Sequence, residues 1–137
     1  MKIELSRSDE FRLDLDPVEC EDDHPSVAFD IEASLNLFRD SMTISLRHRW
    51  FSHDALKRFE EELRDMAFEQ TIGPATLRNM SDVSIITVDR EGDRIRIRIQ
   101  GIDYYEVYGR VVLVEFERHF VEIREMIQGF EAFPKWW

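Results

Sequence analysis

Cysteine and long apolar runs are scarce in this sequence. A single cysteine, Cys20, cannot form an internal disulfide, which is typical of a protein in a reducing compartment. No apolar run approaches the length of a membrane span, and the opening segment MKIELSRSDE lacks the apolar stretch of a signal peptide. We therefore expect a cytoplasmic protein without membrane contact, either a monomer or a homodimer.

Recognisable catalytic motifs are also missing. The five glycines are scattered and form no glycine-rich phosphate loop, and Cys20 has neither a CxxC partner nor a glycine elbow. The segment ECEDDHP groups side chains that metals favour, yet it lacks the ordered spacing and the glycine of a calcium-binding loop. The sequence predicts no catalytic residue, no metal site and no cofactor.

Acidic residues outnumber basic residues, and few of the basic residues are lysines. The net charge is -11, and residues 1–32 carry eleven acidic side chains against three basic ones. An acidic surface repels nucleic acid and anionic lipid, whereas it attracts a basic protein partner and speeds the encounter. The alternative is that the charge serves only to keep the protein in solution.

What the sequence does contain is a clear alternation of apolar and polar residues. The chain has 137 residues, 43% of them apolar, which suits one domain over residues 1–137 with one core. Segments such as SVAFDIEASLNLF read as strands, and tight turns such as DREGD around Gly92 make neighbouring strands antiparallel. The pattern predicts an α+β fold: a twisted antiparallel sheet of about six strands with two amphipathic helices packed on one face.

Two segments have helical spacing instead. Ser52 is placed to cap the first helix, an apolar stripe runs from Leu56 to Met66, and the segment IGP at residues 72–74 ends it. Charged residues that include Glu60 are expected on its other side. The second helix is predicted to end at Gly129 or soon after, and its apolar stripe contains Phe116, Phe120, Ile123, Ile127 and Phe130.

The segment DRIRIRIQ raises the question of a binding surface. Period two buries its isoleucines under the helices and places Arg94, Arg96 and Arg98, the arginine row, on the open face. One interpretation is a solvated face laced by cross-strand ion pairs with nearby acids. The other is a plate that grips a partner's carboxylates or phosphates. Arg47 and Arg49 would widen that plate if their strand were adjacent.

Aromatic and histidine side chains supply further candidates. Three tyrosines cluster in one loop, where they either anchor a partner or line a sheet edge, and two tryptophans at the end of the chain suit a lid on the core; these residues are Tyr104, Tyr105, Tyr108, Trp136 and Trp137. A pocket between sheet and helices is a second possibility. The residues to test for it are His48, Trp50, His119 and Arg98, and His48 lies on the apolar side of its predicted strand.

One arrangement of segments resembles a known family. The segment DSMTISLRHRWFSHDALKRFEEELRDM combines a strand with a capped helix, and ATLRNMSDVSIITVDREGDRIRIRIQG, VVLVEFE and an amphipathic helix follow. Over residues 38–126 this layout resembles the WapI-like family of bacterial immunity proteins and related small α+β families. The resemblance implies a protein without enzymatic activity that binds and neutralises a toxin domain.

These observations predict a non-catalytic protein-binding module, an immunity protein whose partner is a basic bacterial toxin domain. The alternatives are a small-molecule-binding protein or enzyme, and a homodimeric structural module that pairs through an open sheet face or an edge strand. The candidate partner-binding residues are Arg94, Arg96, Arg98, Tyr104, Tyr105, Tyr108, Glu21, Asp22 and Asp23.

Overall fold

The computed structural model describes residues 1–68, 73–102 and 111–135. Within these ranges, four strands precede a helix, and four more strands precede a second helix. The first half contains β1 (Ile3–Arg7), β2 (Phe11–Glu21), β3 (Ser26–Asn36), β4 (Ser41–Ser52) and α1 (His53–Phe68). The second half contains β5 (Ala75–Arg78), β6 (Ser84–Glu91), β7 (Arg94–Ile102), β8 (Val111–His119) and α2 (Glu122–Ala132).

The α+β class is confirmed, but the prediction of one six-stranded sheet is wrong. The strands form two antiparallel sheets of four, ordered β1-β2-β3-β4 and β5-β6-β7-β8. Each sheet is a meander, in which every strand pairs with the strand that follows it in the chain. The division falls at α1, because β4 and β5 flank the helix and pair with different neighbours. Hydrophobic alternation gives the faces of a strand and does not identify its partner across a helix.

The apolar faces of both sheets contribute to one buried cluster. Phe11 on β2 packs against Phe116 on β8, with ring centroids 4.9 Å apart. On the other side of the molecule, Leu46 on β4 lies so close to Gly101 on β7 that a Cβ there would approach its Cδ2 to 2.9 Å. The cluster also contains the buried stripes of both helices. The opposite face of each sheet carries most of the charged residues of the strands.

The first helix follows its predicted pattern closely. Ser52 Oγ accepts a hydrogen bond of 3.1 Å from the backbone N–H of Ala55, as expected of an N-cap. The predicted apolar stripe is buried and comprises Leu56, Phe59, Leu63 and Met66. One prediction is wrong: Glu60 is buried rather than solvated, because α2 and the chain that follows it cover this part of α1. Lys135 Nζ reaches the Glu60 carboxylate at 3.4 Å.

The second helix departs from its predicted limits at its N-terminal end. It begins at Glu122, so Phe116 belongs to β8, and it ends at Ala132, soon after Gly129 as predicted. Helical spacing alone therefore grouped Phe116, a strand residue, with residues of α2 such as Ile123. Gly129 has a packing role instead, because a Cβ at this position would clash with the backbone carbonyl of Glu4 on β1. Neither helix within the described ranges is long and apolar enough to cross a membrane.

Candidate partner-binding surfaces

The arginine row lies on the outer face of the second sheet and is flanked by acids on both sides. Register places Arg96 between Asp89 on β6 and Glu117 on β8, and Arg98 opposite Glu115. The isoleucines between the arginines are buried, as predicted. The strand pairing therefore sets positive and negative side chains in neighbouring columns.

Ion pairs join these columns. Arg98 Nε donates to Glu115 at 2.9 Å, Arg94 reaches Glu117 at 3.4 Å, and Arg96 reaches Glu115 at 3.6 Å. All of these side chains are more than a third exposed, so each pair contributes only a few tenths of a kcal/mol to stability, up to about 1 kcal/mol. With Glu91, which is opposite Arg94, four acids face the three arginines, and this leaves the face without excess positive charge.

The suggested widening of the arginine plate does not occur. Arg47 and Arg49 lie on β4, which belongs to the first sheet, whereas the arginine row lies on β7 of the second. Arg47 is bound within its own sheet, because its guanidinium donates to Asp30 Oδ2 at 3.0 Å. The two groups of arginines therefore form no common surface.

The outer face of the first sheet has the opposite character. Glu4 on β1 is directly opposite Asp14 on β2, and Asp14 is directly opposite Glu32 on β3. We call these three residues the carboxylate row. In the next row, Asp16 is opposite Asp30. Like charges that face each other across strands destabilise a sheet, so the register of this face opposes acids to acids, whereas the second sheet's face opposes acids to arginines.

Asp14, the central residue of this row, has a perturbed ionisation. Burial raises the pKa of the Asp14 carboxyl above its ordinary value. Lys2 and Arg12 lower this pKa by more than Glu4 and Glu32 raise it, but they do not cancel the effect of burial. Arg7 pairs with Glu4 at 2.8 Å on an exposed part of the surface. Basic side chains are thus present on this face, but the central carboxylate remains disfavoured in its charged form.

The acidic loop, predicted from Glu21, Asp22 and Asp23, lies at one end of the same sheet. Glu21 is the last residue of β2, and Asp22 and Asp23 belong to the turn that leads into β3. All three side chains are exposed. Among the described residues, no group of three or more His, Cys, Asp and Glu side chains is placed to hold a metal ion. The loop therefore extends the acidic surface of the first sheet.

A β-bulge in β4 overturns the prediction that His48 lies on the apolar side of its strand. The register between β3 and β4 shifts opposite Asp30, and His48 adopts a positive φ of 54°. Asp30 Oδ1 accepts the backbone N–H of His48 at 2.8 Å, and this bond, with the Arg47 bond, lowers the pKa of Asp30. The His48 ring is exposed and reaches Glu19 at 3.2 Å. The extra bulge residue reverses side-chain parity, which alternation alone does not reveal.

The four residues proposed for a pocket do not come together. His48 and Trp50 lie on β4 beside a cleft of about 410 Å³ that residues 79–81 also line. Arg98 and His119 lie on the second sheet, where His119 Nδ1 accepts the N–H of Val121 at the start of α2. A second cavity, of about 580 Å³, lies between β1 and α2 and includes none of the four. Tyr104, Tyr105, Tyr108 and the two terminal tryptophans lie outside the described residues.

Two surface features were missed by sequence reasoning. One is the carboxylate row, whose members were counted only as part of an acidic segment; the register of three strands was needed to align them. The other is the β3–β4 turn, where Phe38 is 99% exposed and Leu37 and Met42 are more than half exposed. Its signal was present in the segment NLFRDSM, where apolar residues continue into and beyond a predicted turn.

Comparisons with known proteins identify no relative of this chain. A scan against protein-family models finds no match for this chain. Searches of curated proteins and of solved structures find no match either. The class defined by the fold is accordingly an α+β protein with two four-stranded antiparallel meanders and two helices.

Proposed function

We propose that this chain is a non-catalytic protein-binding module. Its binding surface for a basic protein domain is the outer face of the first sheet. The observation that carries the proposal is the carboxylate row, in which Glu4, Asp14 and Glu32 face one another across three strands. Repulsion among them weakens the free protein. A cationic partner would relieve that repulsion, so a cost in the free chain becomes a favourable contribution to the complex.

The contrast between the two outer faces supports this choice of surface. On the second sheet, acids next to the arginine row satisfy the arginines within the protein. On the first sheet, Lys2 and Arg12 favour the charged form of Asp14 without offsetting its burial, and the acidic loop continues the negative surface at one end. The net charge of -11 would steer a basic partner toward the chain and speed association. The arginine row then stabilises its own sheet and makes a minor contribution to binding.

The partner we propose is a bacterial toxin domain, and the module is an immunity protein that neutralises the toxin in the cytoplasm. The layout resemblance to WapI-like immunity proteins supports this step. A basic toxin, such as a domain that itself binds nucleic acid, would present the complementary charge. Neutralisation requires only that the acidic face cover the toxin's functional surface, so no catalytic group is needed in this chain.

Co-expression with the protein encoded by the neighbouring gene tests the proposal. We expect this chain to restore growth to cells that the neighbouring protein inhibits, and the purified pair to bind with an affinity that falls as salt rises. No rescue and no complex with that protein would contradict the immunity role.

Two matched variants locate the binding surface. The double variant Asp14→Asn with Glu32→Gln removes two charges from the first sheet, and Glu115→Gln with Glu117→Gln removes two from the second. Each variant removes two negative charges from the protein. A difference in binding between them therefore reports the local contact rather than long-range steering. We expect only the first variant to weaken binding and flatten its salt dependence. Equal losses, or a loss confined to the second variant, would exclude the first-sheet face.

A further inference from the structure

The four edge strands of the two sheets are not equally protected. Helix α2 covers β1, with Gly129 packed on the Glu4 carbonyl, and Glu62 on α1 accepts the N–H of Thr76 on β5 at 2.8 Å. Strand β8 carries charged side chains such as Glu115 and Glu117. By contrast, residues 41–46 of β4, with the sequence SMTISL, have no charged side chain. Exposed, uncharged edges are templates for pairing, and natural proteins normally protect them.

The hydrogen-bonding pattern shows which backbone groups face outward. The N–H of Leu37 donates to the Asp40 carbonyl at 2.7 Å, which makes these residues a hydrogen-bonded pair of the β3–β4 hairpin. Because such pairs alternate with non-hydrogen-bonded ones, the N–H and C=O groups of Ser41, Thr43 and Ser45 point away from β3. Among the described residues, no strand pairs with that side of β4.

We propose that a second copy of this chain occupies this edge, with two β4 strands paired antiparallel about a dyad at Thr43. This register sets Ser41 opposite Ser45 of the second copy and Thr43 opposite its own equivalent. Every outward backbone group of the three residues then has a partner, as an isologous contact requires. The inference does not depend on the proposed function.

The side chains of the segment fit the same arrangement. Alternation places Met42, Ile44 and Leu46 on the apolar face, and Met42, which is 51% exposed, would lie beside Ile44 of the second copy. No charged side chain within the segment opposes another. The turn bounds the segment on one side and the His48 bulge, with its positive φ, bounds it on the other. Beyond Leu46, Arg47 would face Arg39 of the second copy, which limits the pairing to this segment.

The dimer would join two first sheets into one eight-stranded sheet with both acidic outer faces on the same side. A basic partner with two sites would then bind with avidity. A charged strand of another protein would fit the edge less well than a second copy, because the segment SMTISL offers it no opposite charge. The short paired segment implies a dimer whose population depends on protein concentration.

Sedimentation of the full chain over a concentration series tests the dimer. We expect a dimer at high concentration, its loss in Thr43→Lys, and its retention in Ser34→Lys. Ser34 lies directly opposite Thr43 on β3 and faces the same side, so its lysine carries the same charge one strand away from the edge. Circular dichroism of both variants confirms that they remain folded. A chain that is monomeric at every concentration, or a Thr43→Lys variant that still dimerises, would overturn the inference.

A cross-link then tests the register. In a Cys20→Ser background, Thr43→Cys places two thiols across the dyad with Cα atoms about 5.5 Å apart, within the range of a disulfide. We expect oxidation to give a covalent dimer of this variant and not of Ser34→Cys. Equal cross-linking of both, or of neither, would overturn the register. Protection of the β4 amides from hydrogen exchange only in the presence of another protein would assign the edge to that protein instead.

Discussion

At the scale of single residues, the informative side chains are those whose environment opposes their charge. Asp14 is partly buried, which raises its pKa, and it lies between two other carboxylates. Asp30 faces Asp16 but binds Arg47 and the His48 backbone, and its pKa is lowered. Two aspartates on neighbouring strands of one face therefore have opposite effects on stability, and the difference comes from the hydrogen bonds that each accepts.

The first prediction is that Asp14→Asn stabilises the protein at neutral pH by about 0.5 kcal/mol, because it removes a partly buried charge that also faces two other carboxylates. A carboxyl group with a raised pKa in the folded state disfavours folding when it is ionised. In the parent protein this cost disappears as the pH falls through the raised pKa, so the advantage of the variant should shrink over the same range. Urea unfolding between pH 7 and pH 3 measures both effects.

The control for this prediction is Glu21→Gln, which removes one charge from an exposed position at the end of β2. Its effect should stay within about 0.5 kcal/mol, as for surface substitutions in general. An Asp14→Asn variant that is less stable than the parent at pH 7 would show that the carboxylate makes a favourable interaction, and the argument for strain on this face would fail.

At the scale of elements, close backbone contact decides how α2 meets β1. Gly129 lies inside the helix, where glycine is about 1 kcal/mol less favourable than alanine. It is nevertheless required, because a Cβ would occupy the position of the Glu4 carbonyl. The same contact covers the backbone edge of β1, so a single glycine both seats the helix and protects an edge strand.

We predict that Gly129→Ala destabilises the protein by about 1–3 kcal/mol, as overpacking against a rigid backbone does, despite the gain in helix propensity. Gly73→Ala is the matched control, since a Cβ there meets no atom within 4 Å. Thermal unfolding of the two variants gives the comparison. A Gly129→Ala variant as stable as Gly73→Ala would mean that α2 can lift from β1 without loss, and its role as an edge cover would be wrong.

At the scale of the whole molecule, Arg118 links parts of both halves of the chain. It lies near the end of β8, pairs with Glu122 on α2 at 2.7 Å, and reaches Glu10 in the β1–β2 turn at 3.1 Å. Its guanidinium also stacks over Phe11, 5.5 Å from the ring centroid. The hydrogen bond to Glu122 raises the pKa of Arg118 and favours the charged guanidinium in this partly buried position.

We predict that Arg118→Ala costs about 3 kcal/mol, because it leaves the buried Glu122 carboxylate without its partner. Arg96→Ala, on the exposed arginine row, should cost no more than about 1 kcal/mol. Chemical denaturation measures both. Adding Glu122→Leu to an Arg118→Met variant should recover most of the loss, since an apolar pair avoids the desolvation of two charges. Similar costs for the two arginines would show that Arg118 does not stabilise the contact between the two halves of the chain.

The sequence by itself determined the local structure. Alternation identified the strands and the buried isoleucines of β7. Helix α1 was identified by Ser52 and the Leu56–Met66 stripe. The segment DREGD identified the turn at Gly92, whose φ is 63°. These features depend on neighbours within one turn of helix or one hairpin, so residue order is sufficient to predict them. The α+β class followed from the same local patterns.

Only the tertiary structure decided how the strands were divided and which charges faced each other. The split into two sheets, the bulge that exposes His48 and the burial of Glu60 all depend on contacts between residues far apart in the chain. Strand register aligned part of an acidic segment as a carboxylate row and placed the arginines opposite acids, so that they form no positive face. Register is set by packing across strands and helices, and a linear pattern carries no information on it until the partner strand is known.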